Sequence, residues 1–466
     1  MDFLNALRSA VPACPVLTDA ADTAAYLTDW RGLFHGQALA VVRPGSVDDV
    51  SAIVRVAAAH GVAVVAQGGN TGLAGGAIPV GTRPQIVLSL TRMAKIRRID
   101  RVGMTIEVEA GCIVQTAKDA AEQAGRFLPI AFAAQGSAMI GGVIATNAGG
   151  INALRYGVVR QLVLGLEAVL ADGSIVRKLG GLRKDNAGYD WKQCLIGSEG
   201  TLGIVTAAVL RLAPVVRERR VAFISLESPA AALSLLERLQ DTVGDTVSAF
   251  ELMSGASVDR VVRHVGGRLP VAASNWYVLL EIADNASGLD DRVEQVLMAA
   301  AEAGDLVDAA LADSLAQLEQ FWALRENISE AERHAGVSIK HDIAVSVSDV
   351  PAFVEVATAA LTALDPALEL NAFGHLGDGN LHFNVLTGAS RIDKGLVNRT
   401  VHDVVNRFGG SIAAEHGIGQ YRVDELVRLR PGGELDVMQR IKAAFDPRGL
   451  LNPGKVVPTL PQGQLR

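Results

Sequence analysis

Three glycine-rich segments constrain this chain more than any other feature: Gln67 to Gly76, Gly136 to Gly150 and Gly197 to Val205. Glycine offers no Cβ and adopts positive φ cheaply, so such loops let backbone N–H groups approach a phosphate closely. The first follows a capped amphipathic helix from Val47, with Ile53, Val54, Ala57 and Ala58 in helical spacing, and a strand-like run over Val62 to Ala66. Neither common phosphate fingerprint fits, since no G-x-G-x-x-G opens a long helix and no Gly-Lys-Ser/Thr follows. One such loop is a turn as often as a binding site. Three of them, with a hairpin expected where Leu162 to Leu170 and Ile175 to Lys178 bracket Ala171-Asp172-Gly173-Ser174, point to a long pyrophosphate-bearing cofactor lying along closely approaching backbone.

The second informative stretch is Gly374-His375-Leu376-Gly377-Asp378-Gly379-Asn380-Leu381-His382-Phe383-Asn384. Asp-Gly between apolar runs is a strong hairpin signal. With Asp378-Gly379 as the turn, His375 and His382 are expected as direct cross-strand partners on one face, which Asn384 shares. Farther on comes Ala414-Glu415-His416-Gly417-Ile418-Gly419. Histidines near a turn are more often plain polar surface. Yet three of only nine histidines fall in these two segments, and two imidazoles with a carboxylate are the usual shell of a catalytic divalent metal, here His375, His382 and Glu415. Adjacent strand residues point apart, so Glu415 and His416 serve one site only if the chain bends there, which Gly417 permits.

With 466 residues the chain exceeds one core, and at least two domains are expected. The balance of 43 basic against 50 acidic residues, a net of −7, gives no electrostatic reason to expect nucleic acid or an anionic membrane as partner. Cys14, Cys112 and Cys194 lie far apart, which suggests neither a disulfide framework nor a thiolate cluster, and an internal iron–sulfur centre lacks ligands. A reducing, cytoplasmic setting is expected, with no signal peptide at the N-terminus and no membrane span. After Pro214 strands alternate with long helices: strands are predicted over 220–226 and 276–283, helices over Gly288 to Ala303 and Leu306 to Asn327. Arg325 and Ser329, four apart, should share a helix face. Strand alternation in Val337 to Val345 puts Lys340 and Asp342 opposite the apolar set.

The glycine segments, together with Lys184-Asp185-Asn186-Ala187-Gly188-Tyr189-Asp190, resemble the FAD domain of the vanillyl-alcohol oxidase/para-cresol methylhydroxylase superfamily. Gly374 to Asn384, Glu415-His416-Gly417 and the closing Phe445-Asp446-Pro447 to Leu451-Asn452-Pro453-Gly454-Lys455 resemble the branch that holds FAD-dependent D-2-hydroxyglutarate and D-lactate dehydrogenases and the glycolate oxidase flavin subunit. The resemblance implies an α+β protein. A two-part FAD-binding domain over 1–215 would be followed by an α+β cap domain with an antiparallel sheet over 216–420, and by a segment, 421–466, returning to the flavin.

It further implies that FAD rests on Gln67, Gly68, Gly69, Asn70, Thr71 and Gly72, and is lined by Gly136, Ser137, Gly141, Gly142, Thr146, Asn147, Gly200, Ile204, Val205 and Asn452. Relatives that tether FAD often carry His in the first loop; Asn70 stands there, so a non-covalent flavin is expected. Substrate carboxylates would be held by Arg325, Ser329 and Lys340, with Asn384 and His416 also on substrate. Ser329 departs from the family's Thr. His416 would be the general base, and zinc or another divalent ion such as manganese would sit on His375, His382 and Glu415. The implied reaction is oxidation of a D-2-hydroxy acid, D-2-hydroxyglutarate foremost, with D-malate, D-lactate or a glycolate-type oxidase as alternatives. Electron-transferring flavoprotein or a quinone-linked carrier would be the acceptor. A homodimer is expected. The contrasting possibility is a non-enzymatic metal- or nucleotide-binding protein with a structural histidine hairpin.

Overall fold

The helix over Val47–Ala59 shows how closely local chemistry is followed: Ser46 caps it by accepting from the Asp49 amide at 3.1 Å, and Val50, Ile53, Val54 and Ala57 form its buried stripe. It leads into strand Ala63–Gln67. The computed structural model describes residues 2–285 and 288–458, and the chain divides into two compact units.

The first unit comprises Met1–Gly150, Tyr156–Val215 and Glu415–Arg466. Two larger sheets organise it, beside a short pairing of Ala213–Pro214 with Arg126–Phe127. In one, strands Val41–Val42, Gln85–Ser89 and Ala63–Gln67 are parallel, with Val16–Leu17 antiparallel at the edge. The other is antiparallel in the order Ile96–Asp100, Thr105–Glu109, Ile204–Arg211, Val163–Val169, Ile175–Lys178. Its last pair is the expected hairpin, with Gly173 at φ 82° in the turn. Strand Ile204–Arg211 separates two cores, Ile204 packing into one and Val205 into the other. The C-terminal stretch lies along strand Ala63–Gln67: Val64 donates to the Leu450 carbonyl at 2.8 Å, and Asn452 donates to the Val64 carbonyl at 2.9 Å.

The second unit comprises Ile151–Arg155 and Val216–Ala414. Its antiparallel sheet runs Asp308–Leu311, Glu218–Leu226, Trp276–Asp284, Val247–Ser254, Glu369–His375, Asn380–Leu386, Ser338–Ile339, with Asp342–Ala344 also on Asn380–Leu386. One face carries Phe223, Met253, Tyr277, Leu279 and Phe373, packed against Phe321, Trp322 and Ile328 from two consecutive helices. Each large side chain buried there contributes roughly 1.5–3 kcal/mol.

That region departs from the sequence reading. The helix expected over Leu306 to Asn327 is a strand, Asp308–Leu311, then a helix only from Leu315 to Glu326. Asn327, at φ −81° and ψ 1°, breaks the helix, and a second runs over Ile328–Ala335. Arg325 and Ser329 therefore stand on two different helices rather than on one, and Ser329 is exposed. Among the described residues, one stretch, Val347–Leu364, is long and apolar enough to cross a membrane. Its Val350, Phe353, Val354, Ala357 and Leu361 form a buried stripe, the pattern of a helix packed on one side.

Candidate functional site

The histidine hairpin forms with a different register. Strands Glu369–His375 and Asn380–Leu386 are joined by a 3-10 turn over Leu376–Asp378 and by Gly379 at φ 80°. The longer turn shifts the pairing, so His382 lies opposite Phe373, and His375 is its diagonal neighbour rather than its direct partner. A side chain at Gly379 would strike the Val345 carbonyl at 2.0 Å, which fixes the turn against its neighbour. The face is unchanged by the shift. His375 and His382 offer ring nitrogens within 4.8 Å of each other, and their ring centroids are 6.2 Å apart. The His382 ring packs on Phe373 at 4.9 Å.

Two buried carboxylates that sequence reasoning did not single out organise this face. Glu251 lies directly opposite His375 on strand Val247–Ser254. Its Oε1 is 2.5 Å from His375 Nδ1, and its Oε2 accepts from Arg325 Nε at 2.9 Å. Arg325 also stacks over Phe373, its guanidinium carbon 4.8 Å from the ring centre. Burial alone would push the Glu251 carboxyl up, but the charges of His375 and Arg325 outweigh it and hold the group down at about 2. Glu332 organises the other half of the face through hydrogen bonds: its Oε2 accepts from Lys340 Nζ at 2.7 Å and from Asn384 Nδ2 at 3.0 Å. Asn384 Oδ1 in turn accepts from the His341 amide. A glutamate in an apolar-spaced strand, and one in a helix otherwise rich in charge, gave no signal that tertiary pairing would bury them.

Asp342 pairs with His382 in the sheet and approaches its Nδ1 at 4.0 Å. The amide of Ala414 donates to the Asp342 carbonyl at 3.3 Å, and Glu415 is the next residue along the chain.

Glu415 and His416 open the last segment of the first unit and offer ligand atoms within 4.8 Å of each other. The chain bends here as the sequence required, with Gly417 at φ 73° and Gly419 at φ 54°. Glu415 lies against Gly149, where an added Cβ would meet its Oε1 at 3.1 Å. The segment is anchored by Glu199, whose carboxylate accepts from the amides of Ile418 at 2.8 Å and Gly419 at 2.9 Å. Burial pushes the Glu199 carboxyl up, opposed by those amides.

The three glycine loops come together in this unit. A Cβ on Gly69 would meet the Ser137 carbonyl at 2.1 Å, so the first and second loops touch backbone to backbone. Gly141 is similarly pressed on Ala110, and its amide donates to the Ala110 carbonyl at 2.7 Å. Gly72, Gly136 and Gly142 face open space, leaving backbone accessible to a ligand. Asn70, Asn147, Glu199 and Asn452 all adopt the left-handed conformation, uncommon for residues with a Cβ. Asn452 Nδ2 joins the first and third loops, donating to the carbonyls of Gly76 at 2.8 Å and Glu199 at 2.7 Å. Fully buried Lys455 reaches Asn452 Oδ1 at 3.4 Å, and burial pulls its ammonium down to about 7, with Glu199 opposing.

Several predicted ligand residues have structural duties. Gln67 Nε2 donates to the carbonyls of Tyr26 and Ala77, and Asn70 Nδ2 to that of Thr28 at 2.8 Å. Thr146 bonds back to the Gly142 carbonyl, Asn147 Oδ1 accepts from the Arg160 amide, and the side chains of Ile204 and Val205 belong to the cores. Ser137 bonds weakly to the Ala134 carbonyl, while Gly68 touches Met139 and Gly200 lies beside Ala66. Among the described residues, Cys14 and Cys112 are buried thiols, each pushed up to about 11 by burial, unsuited to hold a cluster.

Two family models match the chain: an FAD binding domain over residues 38–178 and the C-terminal domain of FAD linked oxidases over residues 215–456. D-2-hydroxyglutarate dehydrogenase of Xanthomonas citri pv. viticola is 39% identical over 464 residues, covering 97% of this chain and 96% of that protein. The mitochondrial D-2-hydroxyglutarate dehydrogenase of Bos taurus is 37% identical over 464 residues, covering 98% and 84%. Among solved structures, p-cresol methylhydroxylase superposes with a TM-score of 0.72 at 15% identity over 97% of this chain and 96% of that one. Alkyldihydroxyacetonephosphate synthase does so with 0.73 at 17% over 97% and 84%. At these identities the last two speak for the fold alone.

Proposed function

The chain belongs to the FAD-linked oxidase family that includes the D-2-hydroxyglutarate dehydrogenases, and from that premise we propose that it oxidises D-2-hydroxyglutarate to 2-oxoglutarate. The observation that carries the substrate assignment is the pair of cations, Arg325 and Lys340, each steadied by a buried glutamate that also holds a second residue of the same sheet face. Two fixed cations suit a dicarboxylate better than a monocarboxylate.

In this reading Arg325 and Lys340 bind the substrate carboxylates, Asn384 positions the hydroxy-acid end, and Ser329 adds a hydroxyl from the exposed first turn of the next helix. Arg325 already spends Nε on Glu251, so it meets substrate with its remaining terminal N–H groups. His416 accepts the hydroxyl proton as C2 is oxidised. His375, His382 and Glu415 are assigned to a divalent ion, zinc first and manganese second; this is supported by the paired ring nitrogens and by the short chain link from Asp342 through Ala414 to Glu415. Such an ion supplies Lewis acidity toward the substrate hydroxyl and carboxylate.

FAD, when bound, supplies the acceptor for the C2 hydride at flavin N5. Gln67 to Gly72, Gly136 to Gly142, Thr146, Asn147, Gly200 to Val205 and Asn452 are assigned to it, with no covalent link because Asn70 stands where tethering relatives carry His. Reoxidation is assigned to electron-transferring flavoprotein or a quinone-linked carrier. A cytoplasmic homodimer completes the proposal, testable by fractionation and by light scattering.

The deciding experiment is anaerobic bleaching of the flavin band, near about 450 nm for oxidised flavins, by D-2-hydroxyglutarate, D-malate, D-lactate and their L forms. Fast bleaching by D-2-hydroxyglutarate, abolished by chelator, supports the reading. A response confined to D-lactate would replace the substrate, and none at all in a yellow protein would overturn it.

A further inference from the structure

Glu251 presents its two oxygens to two residues with different assignments. Oε1 meets His375 Nδ1 at 2.5 Å and Oε2 meets Arg325 at 2.9 Å through both Nε and Nη2, while the side chain itself is 1% exposed. The three come from separate elements: strand Val247–Ser254, strand Glu369–His375 and helix Leu315–Glu326. Phe373, two residues before His375, packs under the Arg325 guanidinium and against the His382 ring. These contacts leave Glu251 little freedom to move toward one partner without leaving the other.

Resting on the reading above, we propose that Glu251 is a positioning residue that couples the metal-binding imidazole of His375 to the carboxylate-binding guanidinium of Arg325. By accepting from Nδ1–H, its carboxylate fixes the His375 tautomer in which the Nε2 lone pair is available to a metal. The same carboxylate holds Arg325 by its side edge, so its terminal edge points consistently. Carboxylate recognition and metal binding thus share one buried support.

The test is the Glu251→Gln variant of the full-length flavoprotein. An amide has a single acceptor oxygen. Arg325, with the stronger charge-assisted bond, keeps that oxygen, and the amide NH2 turns toward His375 Nδ1. His375 must then carry its proton on Nε2. Zn2+ titrated against a competing chelating dye should bind roughly 10- to 100-fold more weakly than in wild type, with flavin content unchanged and activity recovered at high Zn2+. Unchanged Zn2+ affinity, with the wild-type affinity lost in His375→Ala, overturns the role of Glu251 and leaves the metal site standing. Zn2+ binding that His375→Ala does not weaken overturns the metal site and this proposal with it. Should Glu251→Gln not accumulate, the double variant Glu251→Leu/Arg325→Met, which has no acceptor for His375 Nδ1–H, is compared with Arg325→Met alone, and equal Zn2+ affinity in that pair again overturns it.

Discussion

Glu251 and His375 face each other directly across two antiparallel strands, with Oε1 and Nδ1 2.5 Å apart in a fully buried setting. A carboxyl held at about 2 when folded and near 4.5 when free stabilises the fold above pH 4.5 and loses that contribution as pH falls toward 2. Chelator-treated protein should therefore lose stability across that window by up to about 1.4 kcal/mol per pH unit from this group. Urea melts at several pH values check it; Glu251→Gln should flatten that part of the curve.

Replacing His375 by Ala should remove the metal and lower kcat/KM at least ~100-fold, while the protein stays yellow. Metal analysis beside the flavin spectrum checks both. Full activity in that variant would sink the assignment of this imidazole.

Lys340 is partly exposed, and its tie to Glu332 leaves its ammonium accessible to an anion. Lys340→Met should raise KM for D-2-hydroxyglutarate by roughly 10-fold, about 1.4 kcal/mol, and affect D-lactate much less. Equal losses on both acids would mean that Lys340 does not read the second carboxylate.

Lys455 provides a second pH signature of the same sense in a higher range. Its ammonium, pulled down by burial to about 7 from the usual 10.5, leaves the unfolded chain binding more protons between those values. Stability from this group consequently rises with pH across that window and is absent below it. In flavin-free protein, Lys455→Met should stabilise the fold more at pH 6 than at pH 10, read from urea midpoints. A pH-independent difference would contradict the burial of a titrating ammonium.

Acid precipitation tests the link to flavin. With Asn70 in the first loop and tied to the Thr28 carbonyl, all yellow colour should pass into the supernatant. Colour retained in the pellet would establish a covalent bond.

Much of the scaffold could be read from local chemistry. Ser46 followed by an apolar stripe specified its helix, and Asp172-Gly173 specified its hairpin, because caps and tight turns depend on a few adjacent residues. The α+β class and the FAD domain also followed from the sequence, since the glycine loops and closing motif are contiguous strings. The sequence was misleading where an interval looked uniform: Leu306 to Asn327 held a strand, a helix and a break at Asn327, decided by pairing with Glu218–Leu226 rather than by helical spacing. In the histidine hairpin, alternation fixed the shared face, but the turn length set the register, so Phe373 rather than His375 came opposite His382.

By itself, then, the sequence determined which residue types could do chemistry: two imidazoles near a turn, a Glu-His pair between small residues, three loops bare enough for backbone to approach a ligand. Only the tertiary structure decided what holds them. Glu251 and Glu332 each meet a cation and a second polar side chain contributed by other elements, and Asn452 stitches together loops more than two hundred residues away in the chain. Partners so distant leave no local pattern. A buried carboxylate is stable only when all its partners arrive together, and that is a property of the folded chain rather than of any stretch within it.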